Sequence, residues 1–336
     1  MVLCMTTLYT GTDRALLWWD LSFAQDGAPV LRQGGELEVG KMPSFMAFSK
    51  NRRLVVAVAE QDDQVCSLVV DQTGGLTLKS SQTCAGGPAY VSLTEDERWV
   101  LTASYGSGEL HVYPLDENGT LGAKSSTVHS GTYSHCAVKD PETHAVYVPS
   151  KGTDSLYLAK LDAGTGALST LGCLSTPSGT GPRHLVLSPD GKRAYLANEN
   201  DCTLMAFHRK IQDQTPRLTA LSRLFALPRP QLPTDSGADV HVSSDGRFVY
   251  MSVRGHDSLT IFESNAQGLG ILGYVSTAGQ VPRNFCLLGE DLLIVANQES
   301  KNLAVFRRNA ANGSLVLLGT CDVGERVFWV GNSQSY

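Results

Sequence analysis

A hairpin-like stretch recurs along this chain at nearly constant spacing, and that periodicity limits the fold more than any other feature. The fullest copy is Gly181-Pro-Arg-His-Leu-Val-Leu-Ser-Pro-Asp-Gly-Lys-Arg-Ala-Tyr-Leu-Ala-Asn-Glu199. Leu185 to Leu187 and Ala194 to Ala197 are apolar runs, and Pro189-Asp190-Gly191 between them is turn chemistry. A tight turn makes the two strands antiparallel, so the start of the first lies beside the end of the second. Arg183, His184 and Glu199 are therefore expected at one edge of a sheet.

Counting this copy from Pro182, further copies open at Pro43, Pro88, Ser134, Gly237 and Pro282, so successive starts lie 45, 46, 48, 55 and 45 residues apart. Each hairpin is followed by two more strand-like runs, often joined at Asn-Gly pairs such as Asn118-Gly119 and Asn312-Gly313. Four strands per 45 to 50 residues is the unit of a β-propeller blade. The ends of the chain supply a seventh. Thr6 to Thr10, Ala15 to Leu21 and Gly35 to Val39 give three strands, and Val327 to Val330 gives the innermost one. Closing the ring in this way removes an exposed strand edge. The expectation is an all-β, seven-bladed propeller forming a single domain over residues 1–336. The longest step places about ten extra residues around Gln212 to Gly237, including Pro228-Arg-Pro-Gln-Leu-Pro233. They read either as a rim or partial lid beside Arg183 and Glu199, or as an ordinary surface insertion.

Charge narrows the partners. Asp plus Glu is 33 against 27 for Lys plus Arg, a net charge of −6, which argues against non-specific binding to nucleic acid or an anionic membrane. No window of 18 apolar residues and no basic, then apolar, leader is seen, so a cytoplasmic protein is expected, monomeric or weakly dimeric. The eight cysteines include no Cys-x-x-Cys pair and read as buried reduced thiols. No metal-ligand spacing is present, and no metal or other cofactor is expected.

Equivalent rim positions can be compared between copies. The residue after each start is Ser44, Ala89, His135, Arg183, Ala238 or Arg283, and the next is Phe45, Tyr90, Cys136, His184, Asp239 or Asn284. At the end of the second strand stand Glu60, Tyr105, Ser150, Glu199, Arg254 and Gln298. A purely structural repeat favours one residue type at each place, whereas here polarity changes from copy to copy. A channel mouth holding His135, Arg183, His184, Glu199, Arg254 and Arg283 is a candidate anion site with titratable groups. The plainer alternative for Arg183 and Glu199 is a structural ion pair. His111, His129, His144, His208, His241 and His256 read as hydrogen-bonded structural histidines.

The segment Gly-Pro-Arg-His…Ser-Pro-Asp-Gly…Asn-Glu at 181–199 resembles the lactonase family of seven-bladed propellers, which spans propeller-type 6-phosphogluconolactonases and muconate cyclases. Pro43-Ser-Phe, Ala103-Ser-Tyr-Gly-Ser-Gly108, Gly152-Thr-Asp154, Ser243-Ser-Asp-Gly-Arg-Phe-Val-Tyr250, Arg254-Gly-His-Asp-Ser258, Pro282-Arg-Asn-Phe285 and Ala296-Asn-Gln298 carry the same resemblance in the same order. Ser150-Lys151 stands where that family has Asp-Leu.

The resemblance implies hydrolysis of an anionic sugar-acid lactone, foremost 6-phosphogluconolactone, with His135, Arg183, Glu199 and Arg254 in the active site. His135 is expected as general base, with His184 second. Arg183 and Arg254 would stabilise the oxyanion, Arg283 would hold phosphate or carboxylate, and Glu199 would orient Arg183 or a water. Gln298, Asp239 and Tyr105 are expected to contact substrate. A lactonising cycloisomerase and a lactonase for unphosphorylated sugar acids are the alternatives on the same site. A protein-binding propeller is the third, although Trp19-Asp20 is the sole Trp-Asp pair.

Overall fold

The computed structural model describes residues 6–50 and 52–333. It contains seven four-stranded antiparallel sheets. Six are built from consecutive strands, beginning with the inner strands Pro43–Phe48, Pro88–Leu93, Val138–Lys139, Pro182–Leu187, Ser236–Val242 and Pro282–Leu288. We number these blades one to six. The seventh takes its inner strand, Trp329–Gly331, from the far end of the chain and its others, Thr6–Gly11, Ala15–Phe23 and Pro29–Glu38, from the N-terminal side. Tyr9 pairs with Gly331, Thr10 with Val330 and Gly11 with Trp329.

The second strand of each blade explains why the sequence reads as it does. Leu54–Ala59, Trp99–Ser104 and Ala145–Ser150 are buried at every position, because each is covered on both faces by neighbouring blades. Such strands read as continuous apolar runs, not as alternating ones. The turn after Pro182–Leu187 forms as its residues dictate: Ser188 Oγ donates to Asp190, and Gly191 takes φ +68°, where its missing Cβ matters. The closing strand is clamped on both sides. Trp329 is fully buried against Phe45 and Phe48 of blade one, and Val330 packs with Cys286 and Ile294 of blade six.

Several local expectations shift. The outer strand of blade seven starts at Pro29, not Gly35, because Gly34 and Gly35 let it cross close over the Trp18 ring. The inner strand of blade three is cut to Val138–Lys139, and Ser134 meets Ser150 only as an isolated bridge. Most of the extra length in blade four extends a hairpin, Thr203–Gln212 with Thr215–Phe225, so Gln212 is at a hairpin tip. The Pro-rich part does lie beside Glu199. Gln231 Nε2 donates to Asn200 O at 2.7 Å, and Arg229 pairs with Asp235 at 2.7 Å, so it forms a pinned rim. The seven described cysteines are free thiols, all buried except Cys173; Cys4 lies outside the described residues.

Candidate active site

In five blades the inner strand slips by one residue near its start, between Pro43 and Phe45, Pro88 and Tyr90, Pro182 and His184, Gly237 and Val240, and Pro282 and Asn284. A bulge breaks strand alternation and re-aims side chains. Arg183 and His184, neighbours in the chain, consequently both line the same space at the hub, with His135 and Arg283. The repeat thus presents two residues per blade to the axis.

The outer layer of the hub is an ion cluster. Glu199 is 2.5 Å from Lys151 Nζ, 3.2 Å from Arg183 Nε and 3.3 Å from Arg254 Nη2. Arg283 lies 3.6 Å from Glu60 and rests on the Phe328 ring. Burial pushes the Glu199 carboxyl up, but Arg254, Arg183 and Lys151 outweigh it and hold the pKa at about 2. Arg183 is 1% exposed. Burial, then Arg254 and Arg283, depress its pKa, and the group stays charged at neutral pH. Its Nη1 donates to Ala238 O at 2.7 Å, while Nε, close to Glu199 but poorly aligned, makes no hydrogen bond. Arg254 Nε is likewise buried without a hydrogen-bond partner.

Beneath this cluster lies a layer divided in two. Phe45 and Tyr90 present ring edges or faces to His184, with centroids 5.9 and 5.7 Å away. On the other side Asp239 anchors His184, whose Nδ1–H donates to Oδ1 at 2.7 Å. His241 Nε2, Asn284 Nδ2 and the Phe285 N–H donate to Oδ2 at 3.1, 2.6 and 3.2 Å. Burial raises the Asp239 pKa, but His241 and His184 more than reverse this, and the carboxylate is held well below its ordinary range. Burial and Arg183 lower the His184 pKa to about 4 despite Asp239. His135, 5.1 Å from His184 between ring centroids, is pushed well down by burial, then by Arg183 and His184. Both imidazoles are neutral at neutral pH. His184 Nε2 and His135 Nδ1 are buried without hydrogen-bond partners.

A cavity of about 10 Å³ between His135, His184, Arg183, Arg283 and Ser44 is the size of one water molecule. A larger cavity of about 300 Å³ also borders His184 and is walled by Val138, Val186 and Val242. A larger depression still, about 410 Å³, lies away from the hub, between Thr6, Tyr9, Arg52, Arg53 and Asp71. Size alone would select it. The converging unpartnered nitrogens and perturbed groups select the hub instead. Among the described residues no group of three or more His, Cys, Asp and Glu could hold a metal ion.

The hub brings together His135, Arg183, His184, Glu199, Arg254 and Arg283. Tyr105 joins them at the mouth, stacked on Tyr133 at 4.8 Å with its hydroxyl 3.4 Å from Lys151 Nζ. Two expected substrate contacts are placed differently. Asp239 is 3% exposed and engaged by protein donors, so it supports His184 from below. Gln298 turns aside to donate to Glu299 at 2.7 Å.

One rim position is corrected. Ser150 is fully buried and donates to Ser130 O, and it aligns with Asn198, since Ser134 bridges Ser150 as Pro182 pairs with Asn198. The counterpart of Glu199 is Lys151, which sequence comparison missed by one residue. A signal was available. Three residues beyond each mouth residue stands one with positive φ: Asp63, Gly108, Asp154, Cys202, Asp257 and Lys301. Asp or Gly at four of the six marks the register and assigns Lys151. Glu60, Asn284 and His241 also went unnominated, since their importance depends on partners in other blades.

Seven blades close around a hub that is cationic at its mouth and carries neutral histidines beneath it, the architecture of a seven-bladed propeller with one charged central site. The family model described as "Lactonase, 7-bladed beta-propeller" matches residues 4–330. The chain belongs to this lactonase family. It is 33% identical over 293 residues to the 6-phosphogluconolactonase of Bacillus subtilis, covering 82% of this chain and 83% of that one. A 6-phosphogluconolactonase of Pectobacterium carotovorum is 30% identical, with 85% and 86% covered. Among solved structures, the periplasmic gluconolactonase of Pseudomonas aeruginosa superposes with a TM-score of 0.87 at 26% identity, covering 96% of this chain and 98% of that one.

Proposed function

We propose that the chain hydrolyses 6-phosphogluconolactone to 6-phosphogluconate at the hub mouth. The observation that carries this is the charge balance there. Lys151, Arg183, Arg254 and Arg283 form ion pairs at the mouth with Glu199 and Glu60, a surplus of two positive charges in that layer, while the Asp239 carboxylate below it is taken up by its own donors. A phosphate monoester close to its dianionic form matches that surplus, and guanidinium groups bind it bidentately.

A water in the small cavity is the nucleophile. Its oxygen attacks the lactone carbonyl carbon while His184 Nε2 takes a proton from it. Arg183 and Arg254, through their unpartnered N–H groups, stabilise the oxyanion. As the ring C–O bond breaks, the imidazolium returns the proton to the departing alkoxide, leaving the open-chain acid. Sequence reasoning favoured His135 as base. The carboxylate partner moves the assignment to His184, because Asp239 fixes the proton on Nδ1 and leaves Nε2 free to accept. His135 then helps to hold the water. Glu199, ionised and clasped by three cations, fixes the arginines and is too weak a base to serve. The cytoplasmic setting and the absence of nucleic-acid and membrane partners belong to the same proposal.

Rates on 6-phosphogluconolactone and on plain glucono-lactone, each measured against buffer-only opening, test this. The phosphorylated substrate should have the higher kcat/KM by about 10-fold or more, the scale of one charge-assisted hydrogen bond. Arg283→Ala should shrink that preference. No rate above buffer with either lactone overturns the hydrolase reading, and equal rates overturn the phosphate reading.

A further inference from the structure

A continuous run of hydrogen bonds travels around the hub through four consecutive blades. It starts at the ring-closing strand of blade seven. Val330 is paired there with Thr10, and its N–H turns inward, to Asn284 Oδ1 of blade six at 2.8 Å. Asn284 Nδ2 donates to Asp239 Oδ2 of blade five at 2.6 Å, and Asp239 Oδ1 receives His184 Nδ1–H of blade four at 2.7 Å. Asn284, Asp239 and His184 are 2, 3 and 5% exposed, so water does not substitute easily for any link.

The same strand reaches His184 from the opposite direction. Trp329 packs against Phe45 with ring centroids 6.2 Å apart, and Phe45 meets His184 at 5.9 Å. The imidazole is therefore held between two arms that both begin on Trp329–Gly331, one polar and one aromatic.

We propose that Asn284 is a positioning residue for lactone hydrolysis, and that docking of the Trp329–Gly331 strand completes the active site as well as the ring. This rests on the reading of His184 as the base. The physical basis is one amide with two tasks. Its oxygen is fixed by the closing strand, which forces its NH2 onto Asp239 Oδ2 at the shortest of the three contacts there, opposite the Oδ1 that faces His184. Loss of that donor leaves the carboxylate held by the Val240 and Phe285 N–H groups and His241 but less neutralised, so it attracts the imidazolium more strongly. A structural role alone would alter folding but not the ionisation of His184.

Two substitutions separate these roles. Asn284→Leu keeps the branched shape and removes both links. It should lower kcat by about 10- to 100-fold, as loss of outer partners does elsewhere, with KM little changed. The acid limb of its kcat profile should move to higher pH. Asn284→Asp keeps the shape and places two carboxyl groups in contact, which must then share one proton. It should be active while that proton is present and lose activity as pH rises, over a range where the parent protein is flat. A parental profile for both variants overturns the proposal, as does a lower kcat with neither pH shift. His184→Asn is the third arm. If it is inactive while both Asn284 variants behave as the parent, this inference alone fails; if it is fully active, the reading beneath it fails.

Discussion

His184→Asn is expected to lower kcat by about 10²- to 10⁴-fold, the range attributed to a positioned general base. The substituted amide can still donate to Asp239, so the buried carboxylate keeps a partner and the hub layer is retained. What disappears is the acceptor at Nε2. KM should change little, because the ligand charges are met by Lys151, Arg183, Arg254 and Arg283 in the layer above. The pH dependence adds a signature. His184 must be neutral to accept a proton, so activity falls as pH drops through its pKa. In the free protein that pKa is about 4, lowered by burial and Arg183. A bound anion neutralises Arg183 and relieves part of the depression. The acid limb of kcat should therefore lie at higher pH than that of kcat/KM, which reports the free enzyme. Steady-state rates across pH check both statements. Coincident limbs, or a variant with parental kcat, contradict them.

Arg183→Met should separate activity from stability. A methionine of similar reach removes the guanidinium but keeps the packing. Losing an oxyanion donor is expected to cost about 10²- to 10³-fold in kcat/KM. Stability should change little, because relief of the buried charge offsets the lost bond from Nη1 to Ala238 O. Arg183 is 1% exposed, and its charge is disfavoured by burial, Arg254 and Arg283 together. Its counter-ion Glu199 keeps Lys151 at 2.5 Å and Arg254 at 3.3 Å, so the substitution strands no buried carboxylate. Replacing a buried ionic group by an apolar one of like volume is often neutral or stabilising when no partner is left uncompensated. Thermal melts read beside kinetics decide the matter. A lower Tm with parental kcat/KM would make Arg183 a structural ion-pair residue, the plainer alternative that its sequence position allowed.

The wheel was legible because it rests on local signals repeated many times. Turn residues such as Pro189-Asp190-Gly191 and runs such as Leu54–Ala59 need only neighbours to act, and six copies average out local noise. The mouth was legible in part for the same reason: position within the repeat stands in for position in space. That substitution failed at Ser150, where the irregular start of blade three hid a one-residue offset and passed over Lys151. It also failed for Asp239 and Asn284. Both sit in rim positions by count, yet the bulges turn them onto each other and onto His184. Contacts across three or four blades leave no trace in spacing. The choice between His135 and His184 was hidden likewise, because it depends on which ring has a carboxylate behind it.

A crystal structure with 6-phosphogluconate bound would test the central claim most directly. The product is predicted at the mouth, its phosphate on Arg283 and its carboxylate beside Arg183 and Arg254, with the carboxylate carbon near His184 Nε2. Product bound between Thr6, Arg52 and Asp71, or in the cavity walled by Val138, Val186 and Val242, with the four cations unengaged, would contradict it.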